Sequence, residues 1–230
     1  MILALDTSGS RCGVALWSSD LIGHRESDSA LRHNELLLHQ IQALLAVYEV
    51  GRADLRAVAV SSGPGSFTGL RVGLAVAKGL CWSLRLPLIC VPTLEAYVHA
   101  IPSHVGRVLP LMPARADEVY WSLFEWEADA WTARTTCRVS QIGALSTEIS
   151  GKVLLCGEGY ERHRDQLRTL FADRLMKIPG SDSLEPLIVS VARLAAVRFA
   201  SLQFEDLFQA EPAYHYPFLR KSASFAGSRG

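Results

Sequence analysis

The 230-residue sequence predicts an α/β protein of two lobes, each a mixed sheet flanked by helices. Three observations lead there. Short apolar runs of strand length alternate with stretches of helical periodicity. Residues 58–84 read as a strand, a glycine-proline turn and a helix, the junction from which α/β sheets are built. The pattern then restarts after Gly106, following a break at Ile101-Pro102-Ser103.

The elements follow in order. A strand over 2–5, the polar turn Asp6-Thr7-Ser8-Gly9-Ser10 and a strand over 13–17 form a hairpin, and a third strand follows over 21–26. Leu36, Leu37, Ile41, Leu44, Leu45 and Tyr48 recur at helical spacing, which predicts a helix over 33–50. A strand over 57–61, a helix over 69–84 and a strand over 88–91 come next, and Pro92-Thr93 opens a helix over 94–100. The break assigns 1–104 to a first lobe, 105–214 to a second and 215–230 to an irregular tail. The second lobe reads as a strand over 108–112, a strongly aromatic strand over 118–125 and a strand over 153–156 ending in Gly157-Glu158-Gly159. A helix over 160–170 and a long amphipathic helix over 184–203 complete it.

The bulk properties exclude several classes. Lys plus Arg and Asp plus Glu both number 23, so no global basic field marks the chain as a strong nucleic-acid binder by itself. The five cysteines (Cys12, Cys81, Cys90, Cys137, Cys156) are odd in number and lack CxxC spacing, which reads as reduced thiols of a cytosolic protein. The N-terminus lacks the basic segment of a signal peptide. Arg71, Lys78 and Arg85 interrupt the longest apolar stretch, so no membrane span is expected and the location is cytoplasmic.

The turn after the 57–61 strand has two readings. Gly63, Gly65 and Gly69 let the backbone bend or approach another group, and Pro64 fixes φ. Ser66 or Thr68 can cap the helix that follows. Such a helix start suits an anion, yet neither the P-loop lysine nor the Rossmann glycine spacing is present. A tight connection and a phosphate site therefore both remain. In the helix, Gly69, Gly73 and Ala77 line one face, and Ala75 with Gly79 forms a second small pair. Interior glycine costs about 1 kcal/mol against alanine, so a close backbone neighbour is expected, either the sheet of the same domain or a helix of another subunit.

Other constellations carry less. The Asp6-Thr7-Ser8-Gly9-Ser10 turn resembles the first phosphate loop of the actin, sugar-kinase and Hsp70 superfamily, against the reading of a solvated hairpin turn. His33 with His39 and His99 with His104 both miss the His-x-x-x-His spacing of a metal pair. No serine lies in Gly-x-Ser-x-Gly, which leaves hydrolase chemistry unsupported. Arg115 leads into the aromatic strand, a pattern that stacks bases less often than it packs sheets.

Together, Asp6-Thr7-Ser8 with Cys12-Gly13-Val14-Ala15-Leu16-Trp17, the block Gly63-Pro64-Gly65-Ser66-Phe67-Thr68-Gly69-Leu70-Arg71-Val72-Gly73, Glu118-Val119-Tyr120-Trp121 and Glu211-Pro212-Ala213-Tyr214 resemble the TsaB (YeaZ) family of bacterial tRNA threonylcarbamoyladenosine biosynthesis proteins. The resemblance implies an actin-like ASKHA (ribonuclease H-like) fold with a degenerate catalytic site, paralogous to TsaD. It implies a non-catalytic partner of a TsaD-like catalytic subunit, working with a TsaE-like ATPase, with tRNA met only through the complex and a homodimer in isolation. The interface it implies lies on the helices over 33–50 and 69–84, with His33, Leu36, Leu37, Gln40, Gly69, Leu70, Gly73, Val76, Ala77 and Leu80 in contact. Gly73→Phe is then expected to abolish partner binding and leave the fold intact. Asp6, Thr7, Ser8, Gly63, Gly65 and Ser66 become vestigial phosphate loops, with no catalytic or metal residue, and ATP or ADP is expected only in complex with partners. The stretch 92–97, where TsaD carries metal histidines, holds none. Two departures stand out. Pro113-Ala114-Arg115 replaces the family's Asp-Ala-Arg, which argues against a metal or nucleotide at that lobe, and His215-Tyr216-Pro217-Phe218 intervene before Leu219-Arg220. The alternative is an active ASKHA ATPase or small-molecule kinase using Asp6.

Overall fold

Strand β1 (Ile2–Asp6) is buried along its whole length, so helices must cover it on both sides. The computed structural model describes residues 1–28, 33–101, 105–177 and 185–213, and sets β1 in the middle of a five-stranded sheet. β2 (Arg11–Trp17) and β3 (Leu21–Asp28) join it as antiparallel hairpins, whereas β4 (Ala57–Gly63) and β5 (Leu88–Pro92) run parallel, giving the order β3-β2-β1-β4-β5. Parallel neighbours need crossovers. Helix α1 (His33–Val47) leads into β4, and α2 (Phe67–Leu84) links β4 to β5. All five strands and both helices fall where the periodicity puts them.

Helix α3 (Thr93–His99) then carries the chain to the second sheet, past residues 102–104, where the expected boundary lies outside the described residues. This sheet is built on β6 (Arg107–Pro113), paired with β7 (Glu118–Trp121) and β8 (Phe124–Glu127), and extended by β9 (Ala130–Ala133) and β10 (Arg138–Gln141). The single aromatic strand expected over 118–125 is thus two strands. Leu111 faces Trp121 and Val108 faces Phe124 in one unbroken register, which sets Ser122 opposite Pro110. Proline has no N–H to give the ladder. At this interruption Ser122 Oγ donates to the Thr135 carbonyl at 2.6 Å and Leu123 N to Thr135 Oγ1 at 2.9 Å.

Helix α4 (Leu145–Glu148) precedes β11 (Leu154–Cys156), which pairs parallel with β6. The helix expected over 160–170 is split into α5 (Glu158–Arg162) and α6 (Arg164–Phe171), because His163 departs from helical backbone at φ −120° and ψ 27°. Short, largely exposed β9 and β10, and the four residues of α4, had no periodicity long enough to announce them.

Helix α7 (Leu187–Ala200) begins after residues outside the described set, Leu184 among them. Counted by sequence with the second lobe, it packs on the first sheet. The alternation of strand residues explains why. Leu3, Leu5, Leu16, Val58 and Val60 fill the face under α1 and α2, while Ala4, Ala15, Ala57 and Ala59 line the opposite face. The alanine face leaves room for a close helix, and Ile188, Val191, Ala192 and Ala195 occupy it. A Cβ at Gly13 would stand 2.9 Å from that of Ile188. Arg198 ties the helix down, donating to Cys90 O and Glu95 Oε2 at 2.7 Å each. Among the described residues no helix is long and apolar enough to cross a membrane.

Ile188→Ala should therefore lower stability by roughly 2–5 kcal/mol, a buried-cavity magnitude, read as a shift of the denaturant midpoint. An unchanged midpoint would mean that α7 does not close the first sheet.

Candidate functional site

The two glycine-bearing turns meet where β1 and β4 end. Ser66 caps α2, its Oγ accepting from Gly69 N at 3.2 Å, and its own N–H donates to Ser8 O at 2.7 Å. Thr7 Oγ1 donates to Gly69 O at 2.7 Å. The Gly63–Pro64 bond is cis. Side chains are excluded from this seam: a Cβ at Gly65 would collide with Ser8 O, at Gly69 with Thr7 O and at Gly73 with Thr7 Oγ1. Asp6, Thr7, Ser8, Gly63, Gly65 and Ser66 are thereby brought together.

Their polar groups are spent on one another. Ser8 N, Ser8 Oγ and Ser61 Oγ all donate to Asp6 Oδ1, at 3.0, 2.7 and 2.5 Å. The next loop amide, Ser10 N, donates to Glu158 Oε2 at 2.9 Å, from the other lobe. An anion seated in this loop would have to replace these contacts, and breaking a hydrogen bond to a buried carboxylate is costly. Tyr97 of α3 lies in the core between the lobes, and burial, with the Asp6 and Glu158 carboxylates, pushes its phenol above the ordinary range.

The expected partner face requires correction. Leu37, Gln40, Gly69, Leu70, Gly73 and Ala77 are buried within the chain, and the Gly69-Gly73-Ala77 face presses on Thr7 and Val60 rather than on solvent. The close neighbour is the chain's own β1–β2 loop and sheet. Leu36, Val76 and Leu80 are half-buried, and the side chain of His33 lies outside the described residues. Gly73→Phe accordingly strikes the core, so the expectation of an intact fold does not hold.

The outward face of α2 is the second small pair. Phe67, Arg71, Ala75, Gly79 and Trp82 are exposed at successive turns, and a Cβ at Gly79 would meet nothing within 4 Å. Phe67 and Trp82 are 46% and 68% exposed, and Leu38 on neighbouring α1 is 50% exposed. Arg71 lies over the Phe67 ring, its Cζ 3.8 Å from the centroid. One flank of α2 is occupied by the C-terminal stretch: Ala213 N donates to Ser62 O at 2.8 Å, Lys78 Nζ to Phe208 O at 3.4 Å, and the Phe208 ring meets Trp82 edge-on at 5.6 Å. Glu211-Pro212-Ala213 is thus docked beside Gly63, while Tyr214 and all that follows lie outside the described residues.

The remaining candidates are dispersed. His39 is exposed and His99 half-buried, its pKa lowered by burial, and His104 is outside the described residues. Among the described residues no three His, Cys, Asp or Glu side chains are placed to share a metal ion. Cys12, Cys81, Cys90 and Cys156 are buried, and burial pushes the first three thiols up to about 12, 11 and 12. Arg115 is exposed on the turn that Glu118 N closes on Arg115 O at 2.9 Å. Sequence reasoning missed Glu158 and Tyr97. An acid between two glycines at a strand end was the available signal for the first.

Comparison with known proteins places these features. The family described as TsaD, tRNA N6-adenosine threonylcarbamoyltransferase, matches residues 27–154, more than half of the chain. The tRNA threonylcarbamoyladenosine biosynthesis protein TsaB of Escherichia coli is 28% identical over 222 residues, 93% of each chain. A Pseudomonas aeruginosa crystal structure, described as an uncharacterized protein similar to peptidase YeaZ, superposes with a TM-score of 0.75 at 25% identity over 93% of this chain and 98% of that one. Component A of Acidaminococcus fermentans (R)-2-hydroxyglutaryl-CoA dehydratase shares the fold alone, with a TM-score of 0.51 at 9% identity over 86% of this chain.

The two small faces of α2 separate in a stability measurement. Gly73→Ala should cost roughly 1–3 kcal/mol as overpacking, whereas Gly79→Ala should gain up to about 1 kcal/mol in helix propensity. Equal shifts of the denaturant midpoint would refute the inward and outward assignment.

Proposed function

We propose that this chain, which belongs to the tRNA N6-adenosine threonylcarbamoyltransferase (TsaD) family and stands there with its TsaB relatives, is a non-catalytic scaffold and activator in forming threonylcarbamoyladenosine 3′ of the tRNA anticodon. Its direct partner is a TsaD-like catalytic subunit. A TsaE-like ATPase joins the complex, ATP or ADP is held only there, and tRNA is met through the assembly. In isolation the same surface pairs two copies of the chain. The reaction belongs to the cytoplasm, where tRNA is modified.

The observation that carries this reading is the outward face of α2, with Ala75 and Gly79 between exposed Phe67 and Trp82. A helix-interior glycine facing open space weakens the helix and gains nothing within the chain. Close approach of a second helix is what such a site serves, and flanking aromatics supply the buried anchors of an interface. The inward commitment of Asp6 Oδ1 supports the non-catalytic part, since that oxygen already accepts from three donors of its own chain.

Ala75→Glu places a charge in the middle of this face without touching the core. Binding to the TsaD-like subunit should weaken at least tenfold by sedimentation or calorimetry, while stability stays within about 0.5 kcal/mol of the unmodified protein. Unchanged binding would exclude this face as the interface.

A further inference from the structure

We propose that Glu158 is a latch between the two lobes, holding the β1–β2 loop from across the cleft so that closure is built into the chain. The contact joins residues 148 apart in sequence: Glu158 Oε2 accepts from Ser10 N at 2.9 Å. It is a charge-assisted bond to a backbone amide, of the stronger class. This inference rests on geometry alone and stands or falls independently of the scaffold reading.

Both sides of the cleft are shaped for it. On the first lobe, Gly9 clears the way, since a Cβ there would collide with Glu158 Oε2. On the second lobe, Glu158 sits between two glycines that lay its backbone flat on β6. Gly157 has φ +90°, and a Cβ at that position would collide with Leu111 O. A Cβ at Gly159 would lie 3.0 Å from Leu111 C. The acid is therefore aimed across the cleft by a backbone that has little freedom to move it.

The bond is exposed, and the packing around it joins the two lobes. Tyr97, on the helix that leads from the first sheet to the second, is partly buried and packs against the core cluster that holds Met112 and Cys156 of the second. Its phenol lies within electrostatic reach of both Asp6 and Glu158. A Cβ added at Gly9 would come within 3.9 Å of Met112 Cε as well, so a side chain there would meet the second lobe twice. In a two-lobed cleft the closing agent is ordinarily whatever binds both sides; here a carboxylate of the chain itself does so. With Ser8 N on Asp6, Ser66 N on Ser8 O and Ser10 N on Glu158, these loop amides are all engaged internally.

Amide hydrogen exchange of the full chain, resolved at Ser10 and its neighbours, tests the latch. Glu158→Ala removes the acceptor, and Gly9→Ala pushes the carboxylate away from the other side. Each should speed exchange at Ser10 at least tenfold and raise the radius of gyration in solution scattering. Glu161→Ala, on the same short helix but paired only with Arg164 of its own lobe, serves as the control and should change neither. Unaltered Ser10 exchange in Glu158→Ala, or the same acceleration in Glu161→Ala, would overturn the proposal.

Discussion

Helix α2 lies against the β1–β2 loop with no side chain of its own at Gly69 and Gly73 between the backbones, and most of the molecule depends on that contact. Thr7 is the residue that sets it. Its carbonyl and hydroxyl occupy the space where Gly69 and Gly73 would carry Cβ atoms, and the hydroxyl donates to Gly69 O at 2.7 Å. With the helix so low on the sheet, Val60 and Leu74 join Leu37, Leu44 and Ala77 in one buried cluster. The same closeness brings Ser66 N to Ser8 O and turns Ser61 toward Asp6. The two glycine-bearing turns thus serve as a packing joint.

The two faces of the first sheet divide the labour. Large side chains under α1 and α2 supply apolar burial, and the alanines opposite admit α7. Because α7 also meets α3 through Arg198 and Glu95, the C-terminal part of the chain stabilises the N-terminal sheet directly. On the outer side of α2 the docked stretch ending at Ala213 borders the helix, with the Phe208 ring against Trp82.

The first sheet was almost fully legible in the sequence, because its strands and helices have long, regular apolar periods. Its small-residue helix was legible as a feature but not in its orientation. Gly69-Gly73-Ala77 and Ala75-Gly79 are both valid stripes on one helix, and only Thr7, some sixty residues earlier, decides which turns inward. The second lobe was read less well for local reasons. Pro110 lies in the partner strand, twelve residues before Ser122, where the aromatic strand is interrupted. His163 divides a helix that its apolar spacing would have joined. Glu158 escaped notice because its partner, Ser10, lies in the other lobe, and no local pattern encodes a contact at that separation.

The central claim, that Thr7 and Gly73 are held in a contact with no room for a methyl group, is tested most directly by a double-mutant cycle on Gly73→Ala and Thr7→Ala. Removing the Thr7 hydroxyl leaves Val60 Cγ2 at 3.3 Å and residue 7 Cβ at 3.5 Å from the added methyl, distances the core can absorb. The loss caused by Gly73→Ala should therefore shrink by about 1 kcal/mol or more in the Thr7→Ala background. Strictly additive losses would contradict the account.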